Sequence, residues 1–174
     1  MFALIVVFQQ EIRKFLLMLG STNLKANRVF RQFKSISTDT IATTDIEPVI
    51  AACRNMSKSK TGALIVIKRN NSLEFVKSSG DAMNVAVNQP ILESIFYKNS
   101  PLHDGAMLIE GNTITATRVI LPVSDDKKIP LRFGLRHRAA VGVSEKSDAV
   151  CLVVSEENGQ ISYLKDGDFV LYET

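Results

Sequence analysis

The sequence predicts an α/β (α+β) protein: a single globular domain with a central mixed, largely antiparallel β-sheet flanked by helices. Two observations carry this prediction. Short β-rich runs follow one another across turn residues, as in "GAMLIEGNTITATRVILP", and strands joined as hairpins are antiparallel. Between such runs lie segments with apolar residues at helical spacing, such as Ile91, Leu92, Ile95 and Phe96. The length of 174 residues allows one domain with a real core, and 45% hydrophobic with 22% charged residues is an ordinary soluble composition.

Taken in order, "MFALIVVF" is an apolar opening too short to span a bilayer, without the basic lead and small-residue cleavage site of a signal peptide. Phe8, Ile12, Phe15, Leu16 and Leu19 then repeat at helical spacing, with Gly20 as a stop. Residues 1–33 are read as an N-terminal apolar stump and helix, loosely joined near 34–43 to the main domain, 34–174. Thr44 or Asp45 caps a helix over about 45–57, with Pro48 tolerated in its first turn. "TGALIVIK" is too apolar for an edge strand, "RNNS" is a turn, and "LEFVK" is expected to return as a strand. "QPILESIFY" starts a helix at Pro90, and the hairpin quoted above follows. "SDDKKIPLRFG" reads as a loop, and "RHRAAVGVSEKS" as a helix despite Gly142. "AVCLVVSE" is a buried strand joined by "ENGQ" to its partner "ISYLK". The sum is about six strands with three or four helices.

Charge and cysteine content exclude several classes. Lys plus Arg is 21 against 18 Asp plus Glu, a net charge of +3, which does not argue for nucleic-acid binding. Local clustering is stronger: Lys127, Lys128, Arg132, Arg136 and Arg138 make a cationic stretch suited to a small polyanion such as a nucleoside triphosphate. Cys53 and Cys151 have no metal spacing and read as packing thiols. The chain contains no GxxxxGK[ST], GxGxxG after a strand, HExxH or GxSxG, so phosphate binding would need another device.

Three polar clusters stand at the ends of apolar segments. His103 and Asp104 in "HDGA" can be a solvated turn, a metal-ligand pair or the acid–base end of a site, and Gly105 lets a ligand approach the backbone. In "GLRHRAA", arginines at a helix start oppose the macrodipole unless an anion is present, which gives Arg136 and Arg138 an anion-site reading beside that of a solvated helix end. "VVSEENG" is by itself a polar turn, but its Ser155, Glu156 and Glu157 complete a hydroxyl–carboxylate set. Together, the three clusters suit metal-assisted nucleotidyl transfer.

"LHDGAMLI", "GLRHRAAVGVSE" and "VVSEENG", in this order and spacing, resemble the diadenylate cyclase domain, and the likeness runs from about residue 8 to about 165. "FQQEIRKFLLMLG", "TGALIVI" and "ILESIFYKNSPLHDGA" fit the membrane-anchored class of that family. The resemblance implies condensation of two ATP into cyclic di-AMP and two pyrophosphates. It implies that Asp104 activates the ribose 3′-hydroxyl and that Gly105 permits close approach. His103, Asp104 and Glu157 match positions associated with a divalent metal, Mn²⁺ or Mg²⁺. Arg136, His137 and Arg138 match the motif serving the triphosphate, Ser155 a phosphate contact with Glu156 beside it, and Leu121 the adenine position with Met107 as an apolar neighbour. Leu135 departs from the family's threonine: it cannot donate a hydroxyl, though its backbone N–H remains.

The same resemblance implies a face-to-face homodimer, regulatory protein partners of a full-length membrane enzyme, and a place at the cytoplasmic face of the membrane, this chain being a soluble catalytic fragment. Three alternatives remain on the sequence: a catalytically weak adenine-nucleotide sensor, favoured by Leu135; an HD-type phosphohydrolase, opposed by the presence of two histidines in total; and a regulatory domain without a small ligand.

Overall fold

The computed structural model describes residues 44–126, 129, 130 and 132–172, with side chains as far as residue 169. The helix expected over residues 8–19 and the boundary at 33/34 lie outside the described residues. The described residues form seven strands and four helices. Helix α1 (Ile46–Lys58) leads to β1 (Ala63–Ile67), a single helical turn α2 (Glu74–Lys77), β2 (Asp81–Ala86) and α3 (Gln89–Phe96). The hairpin β3 (Ala106–Glu110) and β4 (Thr113–Val119), helix α4 (Leu135–Lys146), and β5 (Val150–Val154), β6 (Ile161–Lys165) and β7 (Asp168–Tyr172) complete the chain.

The strands make one sheet in the order β2-β4-β3-β1-β5-β6-β7. Only β1 and β3 pair in parallel; the other neighbours are antiparallel, as the hairpin pattern predicts. β1 is buried on both faces, the consequence of its unbroken apolar run. Alternation then divides the core. Leu64, Val66, Ala106 and Leu108 face α4, whereas Ala63, Ile65, Met107 and Ile109 face α1 and α3. The α1 cap is Asp45, whose side chain accepts from Glu47 N at 3.2 Å, and Asn88 caps α3 by accepting from Ile91 N at 3.0 Å. Cys53 and Cys151 sit in the two different core layers, and burial pushes each thiol up to about 12.

Three elements differ from expectation. "LEFVK" is not a return strand: Leu73 and Val76 are buried one helical turn apart, Ser72 Oγ accepts from Glu74 N at 3.3 Å, and the segment closes as α2. A run this short carries too few residues to separate the two periods. One edge of the sheet is instead β2, a more polar and mostly exposed strand that was not expected. The third difference is β7, at the other edge, also not expected. Asp166 (φ +55°) and Gly167 (φ +79°) make a turn with both central residues left-handed, which folds β7 back on β6 in the register Lys165↔Asp168.

Candidate active site

A cleft of about 840 Å³ opens where β3 begins, where β4 and β5 end, and where α4 starts. That volume lies within the range of small-molecule sites, roughly 300–1,000 Å³. Its inner surface is apolar, with Leu64, Ala106, Val119, Leu121 and Phe133 all buried and all on the α4 face of the sheet.

The first wall is Asp104–Gly105. Asp104 is exposed at the mouth, two residues before β3. Gly105 has φ +103°, and a Cβ there would stand 2.7 Å from the carbonyl carbon of Arg118. The glycine is therefore demanded by its own backbone and by the β4 main chain, in addition to any ligand. Arg118 is itself left-handed (φ +55°), and the β3–β4 register shifts beside it, between Ala106 and Leu108.

The second wall is the first turn of α4. Its N-cap, Gly134, supplies no side-chain cap, and the first intrahelical bond runs from Arg138 N to Gly134 O at 3.2 Å. The N–H groups of Leu135, Arg136 and His137 thus have no carbonyl of a preceding turn to reach, which makes this end a receptor for an anion. Leu135 lines the cleft and is 75% exposed, so its side chain leaves the backbone accessible. Arg136 crosses directly over Gly62, where a Cβ would collide with its guanidinium, and pairs with Glu156 at 2.8 Å. It separates the cleft from a smaller recess of about 350 Å³ shared with His103, Lys98 and Phe96.

The three members of the RHR motif part company. Arg136 faces the cleft. His137 is buried against Phe133 and Phe169, with ring centroids 4.7 and 6.0 Å away, and its Nε2 lies 3.3 Å from Ser162 Oγ. Burial lowers its pKa to about 4, so it is a neutral ring anchoring the helix start, with one edge on the cleft wall. Arg138 is not among the cleft residues; its carbonyl accepts from Ser124 N at 3.0 Å and so holds the preceding loop. Gly142 assists there, because a Cβ would strike the Pro122 carbonyl. The helix glycine thereby keeps the Leu121–Ser124 segment close to α4.

The third wall is the turn after β5. Ser155 Oγ accepts from Glu157 N at 3.3 Å, and the turn is closed by Ser155 N to Gln160 O at 3.0 Å. Ser155, Glu156 and Glu157 all line the cleft.

One sequence expectation needs correction, and another is not met within a single chain. Met107 is no neighbour of this cleft: it is fully buried with α1 and α3, because it is one residue from Ala106 and strand side chains alternate. The expected metal ligands are also dispersed. His103 faces the smaller recess while Asp104 and Glu157 line the cleft, and the described residues contain no group of three His, Cys, Asp or Glu able to hold a metal. His103 Nδ1 does lie 2.6 Å from the Ser100 carbonyl, which fixes that nitrogen as the donor and leaves Nε2 free to ligate. Sequence reasoning missed Arg118, Asp81, Ser79 and Val123, all of which line the cleft, as does Arg132 of the cationic stretch. Nothing in "TATRVILP" signals a left-handed arginine.

The fold and site define a nucleotide-sized cleft in an α+β domain, lined by both an uncapped helix start for anions and an exposed carboxylate. The comparisons agree. A family model described as DisA bacterial checkpoint controller nucleotide-binding matches residues 50–169. A diadenylate cyclase of Listeria monocytogenes is 36% identical over 95% of the chain and 59% of its own length. The cyclic di-AMP synthase CdaA of Bacillus subtilis is 37% identical over 95% and 59%. Among solved structures, DacA from Staphylococcus aureus superposes with a TM-score of 0.72 at 44% identity, covering 74% of this chain and 86% of that one. A hypothetical membrane spanning protein from Bacillus cereus gives 0.73 at 36%, covering 98% and 80%. The chain belongs to the diadenylate cyclase domain family. It spans about three-fifths of the length of the curated relatives it matches.

Proposed function

We propose that the chain is the catalytic domain of a diadenylate cyclase, joining two ATP molecules into cyclic di-AMP with release of two pyrophosphates. One observation carries the reading: Asp104 stands at the mouth of a nucleotide-sized cleft that the uncapped start of α4, with Arg136 in its first turn, also lines. The names of the relatives support it.

In this reading, Leu121 and Phe133 floor the adenine, while the α4 N–H groups, Arg136 and Ser155 hold phosphate oxygens. The carboxylate of Asp104 takes the proton of a ribose 3′-hydroxyl. The freed oxygen bonds to the α-phosphorus of a second ATP, the bond from that phosphorus to the bridging oxygen breaks, and its electron pair leaves with pyrophosphate. The same exchange in the opposite sense closes the ring. In-line geometry requires the two nucleotides to lie head to tail, which calls for two copies of the domain face to face about a two-fold axis. His137, packed on Phe133 and beside Ser162, anchors the start of α4 next to Arg136 in sequence and does not itself exchange protons in this scheme.

A single chain does not gather the donor set for Mn²⁺ or Mg²⁺ from His103, Asp104 and Glu157 among its described residues. An ion here would need phosphate oxygens of the substrate or side chains of a second copy. Placement at the cytoplasmic face of a membrane belongs to the same reading. Its support is the Bacillus cereus relative; among the described residues no helix is long and apolar enough to cross a membrane.

Leu135, without a hydroxyl in the anion-binding turn, favours a second reading as a nucleotide sensor. Incubation of the purified protein with ATP and Mn²⁺ or Mg²⁺, followed by chromatography, separates the two. Cyclic di-AMP that disappears in Asp104→Asn supports the cyclase, whereas intact ATP bound by a protein of dimeric mass supports the sensor.

A further inference from the structure

Arg118 occupies a backbone conformation that suits glycine better than arginine (φ +55°). Its neighbour across the hairpin, Gly105, is already a left-handed glycine, so the two strands could have been joined at lower cost with glycine at both positions. The arginine side chain is not retained for packing. It is 52% exposed, and its ionic partner among the described residues, Asp81 at 3.2 Å, is 55% exposed. An ion pair that open contributes on the order of 0–1 kcal/mol and exchanges readily for another anion.

Position supplies the reason. Arg118 and Asp81 both line the cleft, and the Arg118 main chain packs directly behind Gly105, next in sequence to Asp104. The group that Asp104 deprotonates must meet a phosphorus of the second nucleotide at this mouth. Negative charge grows there as pyrophosphate departs, and a mobile guanidinium at that point stabilises it. Arg136 is less free to do this, because it is half-buried and held by Glu156 at 2.8 Å.

We propose that Arg118 is a catalytic residue that leaves Asp81 to contact the phosphates of the nucleotide under attack, the one belonging to the facing copy, during 3′-oxygen attack and pyrophosphate departure. Asp81 parks the guanidinium at the cleft rim between turnovers. This rests on the cyclase reading.

The test uses the intact chain with ATP and Mn²⁺, reading cyclic di-AMP formation, thermal melting, and the dissociation constant of 3′-deoxy-ATP, which lacks the attacking hydroxyl. Arg118→Gly suits the backbone, so its melting temperature should hold or rise while kcat falls at least tenfold and binding of 3′-deoxy-ATP to its own cleft changes less than twofold. Asp81→Asn, which removes only the parking partner, should lower kcat far less than Arg118→Gly does. Turnover in Arg118→Gly within twofold of the parent overturns the proposal. So does an equal fall in Arg118→Gly and Asp81→Asn, since that would make the pair a structural rim contact. If the parent chain itself forms no cyclic di-AMP while binding ATP as a dimer, the cyclase reading fails before this one.

Discussion

The two faces of the sheet are built by different rules. Beneath α1 and α3, the surface is closed by side chains alone: Val49, Ala52, Met56, Leu92, Phe96, Met107 and Ile109 fill it to exclusion of solvent. On the α4 side the same strands end in a cleft whose shape comes from the main chain. Gly105 and Arg118 are left-handed, Gly62 makes room for a guanidinium, and Gly142 admits the Pro122 carbonyl. One face needs volume and apolarity, which many sequences supply. The other needs particular backbone angles and the absence of particular Cβ atoms, which few do. Substitutions on the first face should therefore spend themselves on stability, and those on the second on turnover.

The sharpest break of that comparison is Asp104→Asn. The side chain is exposed, so folding and melting temperature should be unchanged, while turnover should fall by about 10²–10⁴, the usual range for loss of a general base. Retained turnover would remove Asp104 from the chemistry. Leu92→Ala on the closed face is the counterpart. Leu92 is fully buried and lines neither the cleft nor the smaller recess, and its truncation should cost about 2–5 kcal/mol in denaturant unfolding while leaving kcat per folded molecule near the parent value. A large loss of kcat from this substitution would show that the two faces are not independent.

His137 lies where the two rules meet, since it packs as a core residue and supports the cleft. Its neutral form is favoured on folding, with the pKa lowered to about 4 by burial. Above pH 6.5 both folded and unfolded chains carry a neutral ring and the contribution is complete. As pH falls from 6.5 toward 4, the unfolded chain binds a proton that the folded one refuses, and stability declines by at most about 3 kcal/mol. Equilibrium unfolding of the parent and His137→Phe across pH 4 to 7 should show a shallower decline in the variant. Parallel curves would mean that other groups cause the decline.

How much of this was legible beforehand follows the same division. The closed face was readable because periodicity reports packing: α1, α3, α4 and the β3–β4 and β5–β6 hairpins stand where apolar spacing placed them. "LEFVK" failed because a short apolar run fits either period, and β7 was missed although Asp166-Gly167 is a hairpin signal. In the site, Asp104, Arg136, Leu121 and Ser155 were found as polar or family-matched positions at segment ends, and they do share one cleft. Met107 was misplaced because a motif gives sequence neighbours, while the strand sends neighbours to opposite faces. Arg118 and Asp81 were invisible: one depends on a backbone angle, the other on a strand that was not expected.

Leu135→Thr gives the finest test of whether the cleft is made by main chain or side chain. Leu135 is 75% exposed in the first turn of α4, so its replacement releases little packing and stability should move by less than about 0.5 kcal/mol. If phosphate is held chiefly by the helix N–H groups, the added hydroxyl supplies one extra hydrogen bond, worth about 0.5–1.5 kcal/mol, and KM for ATP should fall roughly two- to tenfold with kcat little changed. A rise in kcat by a similar factor would instead place the hydroxyl on charge that develops only during transfer, and the backbone would then not be sufficient as the anion site. No change in either constant would mean that the phosphates lie away from this turn, and the anion-binding role would pass to Arg136 and the Ser155 turn.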